Sequence, residues 1–180
     1  MKSKHPDREE CLKMLREYNT PENVIRHCKA VTNAALKIAK ALNDKGFDLN
    51  MPLIQAAGLL HDIARVRDEH WIVGADFVFE SGYMQESEII SRHMTHSFDT
   101  NPANLKELDM VCLGDRLIME DEYVGLDARM DYVIRKAGGD KRIEKIINER
   151  RETNRLLIQK IENIIGVPIE EVILGEEIDI

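Results

Sequence analysis

Residues 53–62 read Leu53-Ile54-Gln55-Ala56-Ala57-Gly58-Leu59-Leu60-His61-Asp62, a run that is apolar nearly all round and ends on an imidazole beside a carboxylate. A helix without a polar face belongs at the centre of a fold, so this segment is the predicted core element. Asn50 and Pro52 carry the signals that open it. Adjacent helical residues point about 100° apart, so His61 and Asp62 can flank one pocket at the edge of that buried helix. The helical period continues on both sides. Residues 7–18 form an expected amphipathic helix with Cys11, Leu12 and Leu15 on one side. Thr20-Pro21-Glu22 reads as an N-cap with proline at the first helical position, opening a helix that carries Val24, Val31, Ala35, Ile38 and Leu42 and stops near Lys45-Gly46. Beyond the central run, Asp68 is the expected cap of a helix through Phe79, ended by Gly82. Further helices are expected over about 85–96, 103–119 and 127–137, and Gly138-Gly139 breaks the last of these before Asp140 caps a long helix to about Ile165. The fold class that results is all-α, a helical bundle with a long C-terminal helix and a short acidic tail.

The chain has 180 residues, 43% hydrophobic and 32% charged, enough apolar material for one main core. The expected division is an N-terminal helix packing on the core (1–20), a helical domain (21–137) and a C-terminal helical extension (138–180). With 25 basic against 33 acidic residues the formal net charge is -8, which disfavours broad nucleic-acid binding, because phosphate neutralisation needs a basic footprint. No run is long and apolar enough for a membrane span and the first ten residues hold no apolar signal region, so a cytoplasmic protein with no membrane partner is expected. Cys11, Cys28 and Cys112 are odd in number and far apart, and read as core thiols. Residues 148–155 contain no apolar side chain, either as a solvent-exposed stretch or bend or as a guanidinium cluster reaching a phosphate. The tail from Pro168 mixes Val172, Ile173 and Leu174 with five acidic residues, and can cover the core or a partner subunit. That second option leaves a homo-oligomer open.

Polar residues that break the apolar period are the informative ones. Asp115 follows Leu108 by seven and Val111 by four, a core-facing position where a carboxylate needs an ion-pair partner or a metal. His27 lies between Val24 and Val31 on an inward face, and His93 follows Ile89 and Ile90. His70 shares a face with Gly74 and Phe77, where glycine lets another helix approach. Each alone has a plain reading as a satisfied core residue. Several imidazoles and two carboxylates facing inward from different helices would each need a separate partner, whereas one metal site satisfies them together. Their nitrogen and oxygen donors suit first-row divalent ions without any cysteine.

These residues, taken in order, resemble the HD-domain superfamily of metal-dependent phosphohydrolases. The resemblance is carried by Val24-Ile25-Arg26-His27, by Ala56-Ala57-Gly58-Leu59-Leu60-His61-Asp62-Ile63-Ala64-Arg65, and by Leu113-Gly114-Asp115-Arg116. It implies an all-helical fold in which His27, His61, Asp62 and Asp115 ligate a divalent metal. His70, in His70-Trp71-Ile72-Val73-Gly74-Ala75, and His93 are similar to the extra histidines of a subset of the family. There they hold a second metal or contact the substrate, and His96 one turn on is a further candidate. Many relatives have lysine where this chain has Arg65, and a guanidinium can still grip a phosphate bidentately. Arg116 is a second phosphate candidate.

The leading functional expectation is hydrolysis of a phosphate ester or anhydride of a small metabolite or nucleotide by a metal-activated water, with Asp62, His70 and His93 as catalytic candidates. The cofactor is one or two divalent ions, with Mn, Fe, Co, Mg, Ni and Zn all compatible. Two alternatives stay open: a non-catalytic metal- or nucleotide-binding regulatory protein, and a di-iron oxygenase of the same fold.

Overall fold

The computed structural model describes residues 5–176. In chain order these form α1 (Arg8–Glu17), α2 (Glu22–Asn43), α3 (Met51–Leu60), α4 (His70–Glu80), α5 (Met84–Arg92), a 3₁₀ turn (Pro102–Asn104) and α6 (Glu107–Asp115). A two-residue hairpin follows, β1 (Ile118–Met119) with β2 (Glu122–Tyr123), then α7 (Gly125–Lys136), α8 (Lys141–Ile165) and α9 (Ile169–Leu174). The all-α class holds, since these two short antiparallel strands are the only ones among the described residues.

Two apolar clusters explain why residues 53–60 lack a polar face. One side of α3, with Ile54 and Ala57, packs into the cluster built by α2, α6, α8 and α9. Its other side, with Ala56, Leu59 and Leu60, packs against Leu15, Ala75, Val78 and Ile90 from α1, α4 and α5. The long helix α2 touches α3, α6, α8 and α9. Two glycines set how closely it does so. A Cβ on Gly58 would lie 2.7 Å from Thr32 Oγ1, and one on Gly114 would lie 2.7 Å from the Val31 carbonyl oxygen. Gly58 stands three residues before His61 and Gly114 one before Asp115, so both site-bearing helix ends are pressed onto α2 just beyond His27.

The structure differs from the sequence reading in several places. The helix expected over 103–119 is shorter: Asn101 caps the 3₁₀ turn at Pro102, α6 starts at Glu107, and the chain leaves helix after Asp115. Its apolar period continued because Leu117 and Ile118, in the turn and hairpin, enter the same core. Thr20 does not cap α2, since its hydroxyl donates instead to the Ile63 carbonyl at 2.7 Å. Neither does Asp68 cap α4, which follows Glu69 in a left-handed conformation with no side-chain cap. Helix α5 ends at Arg92, short of His96.

Helix α8 runs unbroken through the stretch without apolar residues. Arg151 and Arg155 pair with Asp131 and Asp127 of α7, and Asn154 is buried in the core-facing stripe with Ile147, Leu157 and Ile161. The tail folds back onto the core as far as it is described. Ile169 and Ile173 are buried, and Lys37 of α2 donates to the carbonyls of Ile173 and Gly175 at 2.9 and 3.0 Å, capping the C-terminus of α9. Residues 177–180 of that tail lie outside the described residues. All three cysteines are buried free thiols.

Candidate metal centre

Four of the six histidines converge, each delivered by an element end or an inward helix face. His61 follows the last residue of α3 and His93 the last residue of α5. Both use a carbonyl that the end of their own helix leaves without an intrahelical partner: His61 Nδ1 donates to Gly58 O and His93 Nδ1 to Ile90 O, each at 2.7 Å. His27, on α2, donates from Nδ1 to the Glu120 carbonyl at 2.6 Å, which the hairpin presents from a left-handed residue. A carbonyl can only accept, so all three rings carry a proton on Nδ1, and any lone pair a ring keeps is on Nε2.

The Nε2 atoms face carboxylate oxygens. His27 Nε2 is 3.2 Å from Asp115 Oδ1, and His70 Nε2 and His93 Nε2 are 3.1 and 3.7 Å from Asp62 Oδ1. The other Asp62 oxygen lies 3.8 Å from His61 Nε2 and 4.0 Å from His27 Nε2. His61 Nε2 is buried and has no hydrogen-bond partner. Acceptors turned toward one another repel unless a proton or a cation lies between them. Donors about 2.1 Å from a shared ion sit roughly 3 to 3.5 Å apart, close to the shorter separations here. Among the described residues two groups have ligand atoms within 4.8 Å of one another: His27, His61 and Asp115, and Asp62, His70 and His93. Asp62 turns one oxygen toward each.

The electrostatics match this donor set. Burial pushes His61 down to about 4, so its imidazole is neutral at ordinary pH. Burial alone would lower His27 and His93 too, but hydrogen bonding to Asp115 and Asp62 respectively outweighs it and raises both. Burial would also raise Asp62, yet the surrounding imidazoles of His61, His70 and His93, the last two through hydrogen bonds, hold the carboxyl well below the usual range.

A cavity of about 630 Å³ opens over the cluster. His27, Asp62, His93 and Asp115 reach it, as do Arg26, Arg65, Arg116, Arg129, Lys136 and Arg150. The half-exposed Arg65 places Nε 3.4 Å from Asp62 Oδ2 and Nη1 3.3 Å from His70 Nε2. Arg116 turns away from the ligands, donating to Asn154 Oδ1 at 2.9 Å and to the His96 carbonyl at 2.6 Å, with its guanidinium over the Phe98 ring. His96 does not join the four histidines. Its Nε2 donates to Asp109 Oδ1 at 2.6 Å, and that carboxylate also accepts from Lys106 N at the start of α6. Sequence reasoning missed Arg129, which donates from Nε to the Asp115 carbonyl at 3.2 Å, and nothing in its local pattern marks it.

The HD domain family matches residues 24–133, the segment that carries all six residues of the two His/Asp groups. This chain belongs to the HD-domain family. HD domains bind divalent metals, and the two His/Asp groups are where this member can hold them. An uncharacterized protein of Methanocaldococcus jannaschii is 32% identical over 154 residues, 76% of this chain and 90% of that relative. Two proteins named tRNA (cytidine(56)-2'-O)-methyltransferase are similar over 88% and 80% of this chain, at 27% identity in Thermoplasma volcanium and 26% in Picrophilus torridus. The chain spans about half of the length of these two, 50% and 46%. No solved structure matches it.

Proposed function

We propose that this HD-domain chain is a phosphohydrolase that cleaves a phosphate ester or anhydride of a nucleotide or small metabolite. The observation that carries the reading is the convergence of four imidazole Nε2 atoms on Asp62 and Asp115 at the floor of a cavity lined with guanidinium groups. His27, His61 and Asp115 would hold one ion, and Asp62, His70 and His93 a second. A divalent ion at such a site supplies Lewis acidity toward a phosphoryl oxygen and makes water a stronger acid. Arg65, beside Asp62 and half exposed to the cavity, receives a phosphate oxygen and opposes the charge that builds in the transition state. His93 lines the cavity, as His27 does, and when it carries no ion its Nε2 is placed to pass a proton to a leaving oxygen.

A basic cavity on a chain of net charge -8 favours a small anion over an extended polyanion. Two relatives are named for an activity on tRNA, which supports a nucleotide as the phosphate carrier. The test is phosphate release from a panel of nucleotides and phosphate esters with Mn(II), Fe(II), Co(II), Mg(II), Ni(II) or Zn(II). Release with at least one metal is expected, falling at least a hundredfold in His61→Ala. No release under any condition would contradict the reading.

A further inference from the structure

Asn154 is the anomaly that the metal centre does not absorb. It occupies the buried stripe of α8 between Ile147 and Ile161, where a heptad spacing calls for an apolar residue, and it is 1% exposed. Its amide orientation follows from its neighbour. Arg116 has only donors, so the atom 2.9 Å from its Nη1 must be the amide oxygen, and the NH₂ group points the other way. That NH₂ is buried and has no hydrogen-bond partner. The residue lines the cavity above the metal centre and lies beyond the segment that matches the family.

Two guanidinium groups of the same cavity wall accompany it. Arg150 is one helical turn before Asn154 on α8, which puts both on one face. Arg116 and Arg150 are tied to carbonyls of the same turn after α5, His96 at 2.6 Å and Met94 at 3.4 Å. The other arginines of this stretch, Arg151 and Arg155, are occupied by acids of α7. The acidic side chains of the cavity stand elsewhere: Asp62 and Asp115 among the imidazoles, and Glu120 and Asp121 on the hairpin, Asp121 paired with Arg26 at 3.3 Å. The α8 wall therefore offers donors, and the one acceptor on Asn154 is already taken.

We propose that Asn154, with Arg116 and Arg150, forms an anion subsite that holds a second phosphate group of the substrate, remote from the one cleaved at the metal centre. This rests on the phosphohydrolase reading for the identity of the reacting group, and it narrows the substrate class to molecules bearing two phosphate groups. Two guanidiniums without a carboxylate partner among the described residues and a spare amide donor match the oxygens of a phosphate.

The experiment titrates the Mg(II)-loaded full chain with adenosine 5′-monophosphate and with adenosine 3′,5′-bisphosphate. The Asn154 side-chain amide resonances, identified as the pair missing from Asn154→Asp, should shift saturably with the bisphosphate. Asn154→Asp keeps an oxygen for Arg116 but replaces the donor with a negative charge. It should bind the bisphosphate at least tenfold more weakly and the monophosphate within twofold of wild type. Resonances unmoved at saturation, or equal weakening of both nucleotides, would overturn the subsite. Phosphate release scores the hydrolase reading separately: a chain that shows this binding difference without turnover keeps the subsite and loses the hydrolase.

Discussion

His27, His61 and His93 each commit Nδ1–H to a backbone carbonyl, and that single choice decides what the other nitrogen can do. With Nδ1 committed, Nε2 faces carboxylates, where it can hold either a proton shared with the acid or a cation. His93→Ala should therefore remove one ion from Asp62, His70 and His93 and leave the one at His27, His61 and Asp115, so metal analysis should find one ion fewer per chain than in wild type. The ligand candidates were legible because each sets a polar group into an apolar period: Asp115 after Leu108 and Val111, His27 between Val24 and Val31. His96 was misplaced by the same logic. It stands one helical turn past His93 only if α5 continues, and α5 stops at Arg92, which frees His96 to pair with Asp109. No spacing rule reveals that Glu120 supplies a carbonyl to His27 from 93 residues away.

At the scale of elements, the site depends on how closely α3 and α6 approach α2. Gly114→Ala puts a methyl group 2.7 Å from a backbone oxygen of α2. Overpacking costs about 1–3 kcal/mol, and the better helix propensity of alanine returns about 1 kcal/mol, so a net loss of up to about 2 kcal/mol is expected in denaturant titration. Weaker metal binding should accompany it, because Asp115 is the next residue. Lys37 makes a separate element-level prediction. Its ammonium joins α2 to the last carbonyls of α9 through two charge-assisted bonds in a buried setting. Lys37→Met should cost about 1–3 kcal/mol and raise amide exchange in α9 before any other helix. The sequence marked α9 as mixed apolar and acidic but could not say what it covers, since a lysine on α2 gives no local sign of a partner more than 130 residues on. The hairpin was missed for a related reason. Its strands are two residues each, too short to show alternation, and Ile118 continues the apolar period of α6.

For the whole molecule, the net charge of -8 contrasts with the guanidinium groups that line the cavity, and the proposal of a small anionic substrate rests on that contrast. Fold and ligand set stand together, because the helix ends and the inward face that deliver His27, His61, His93 and Asp115 are also the places where α2, α3, α5 and α6 meet the core. The proposed centre requires that these side chains hold metal. The most direct measurement is elemental analysis of the full chain purified without chelator, beside His61→Ala and Asp62→Asn prepared identically and shown by circular dichroism to keep their helices. Wild type should carry up to two divalent ions per chain and at least one, His61→Ala should lose the ion shared with His27 and Asp115, and Asp62→Asn should lose the other. A wild-type chain that binds no divalent ion, or variants that retain its full metal content, would contradict it.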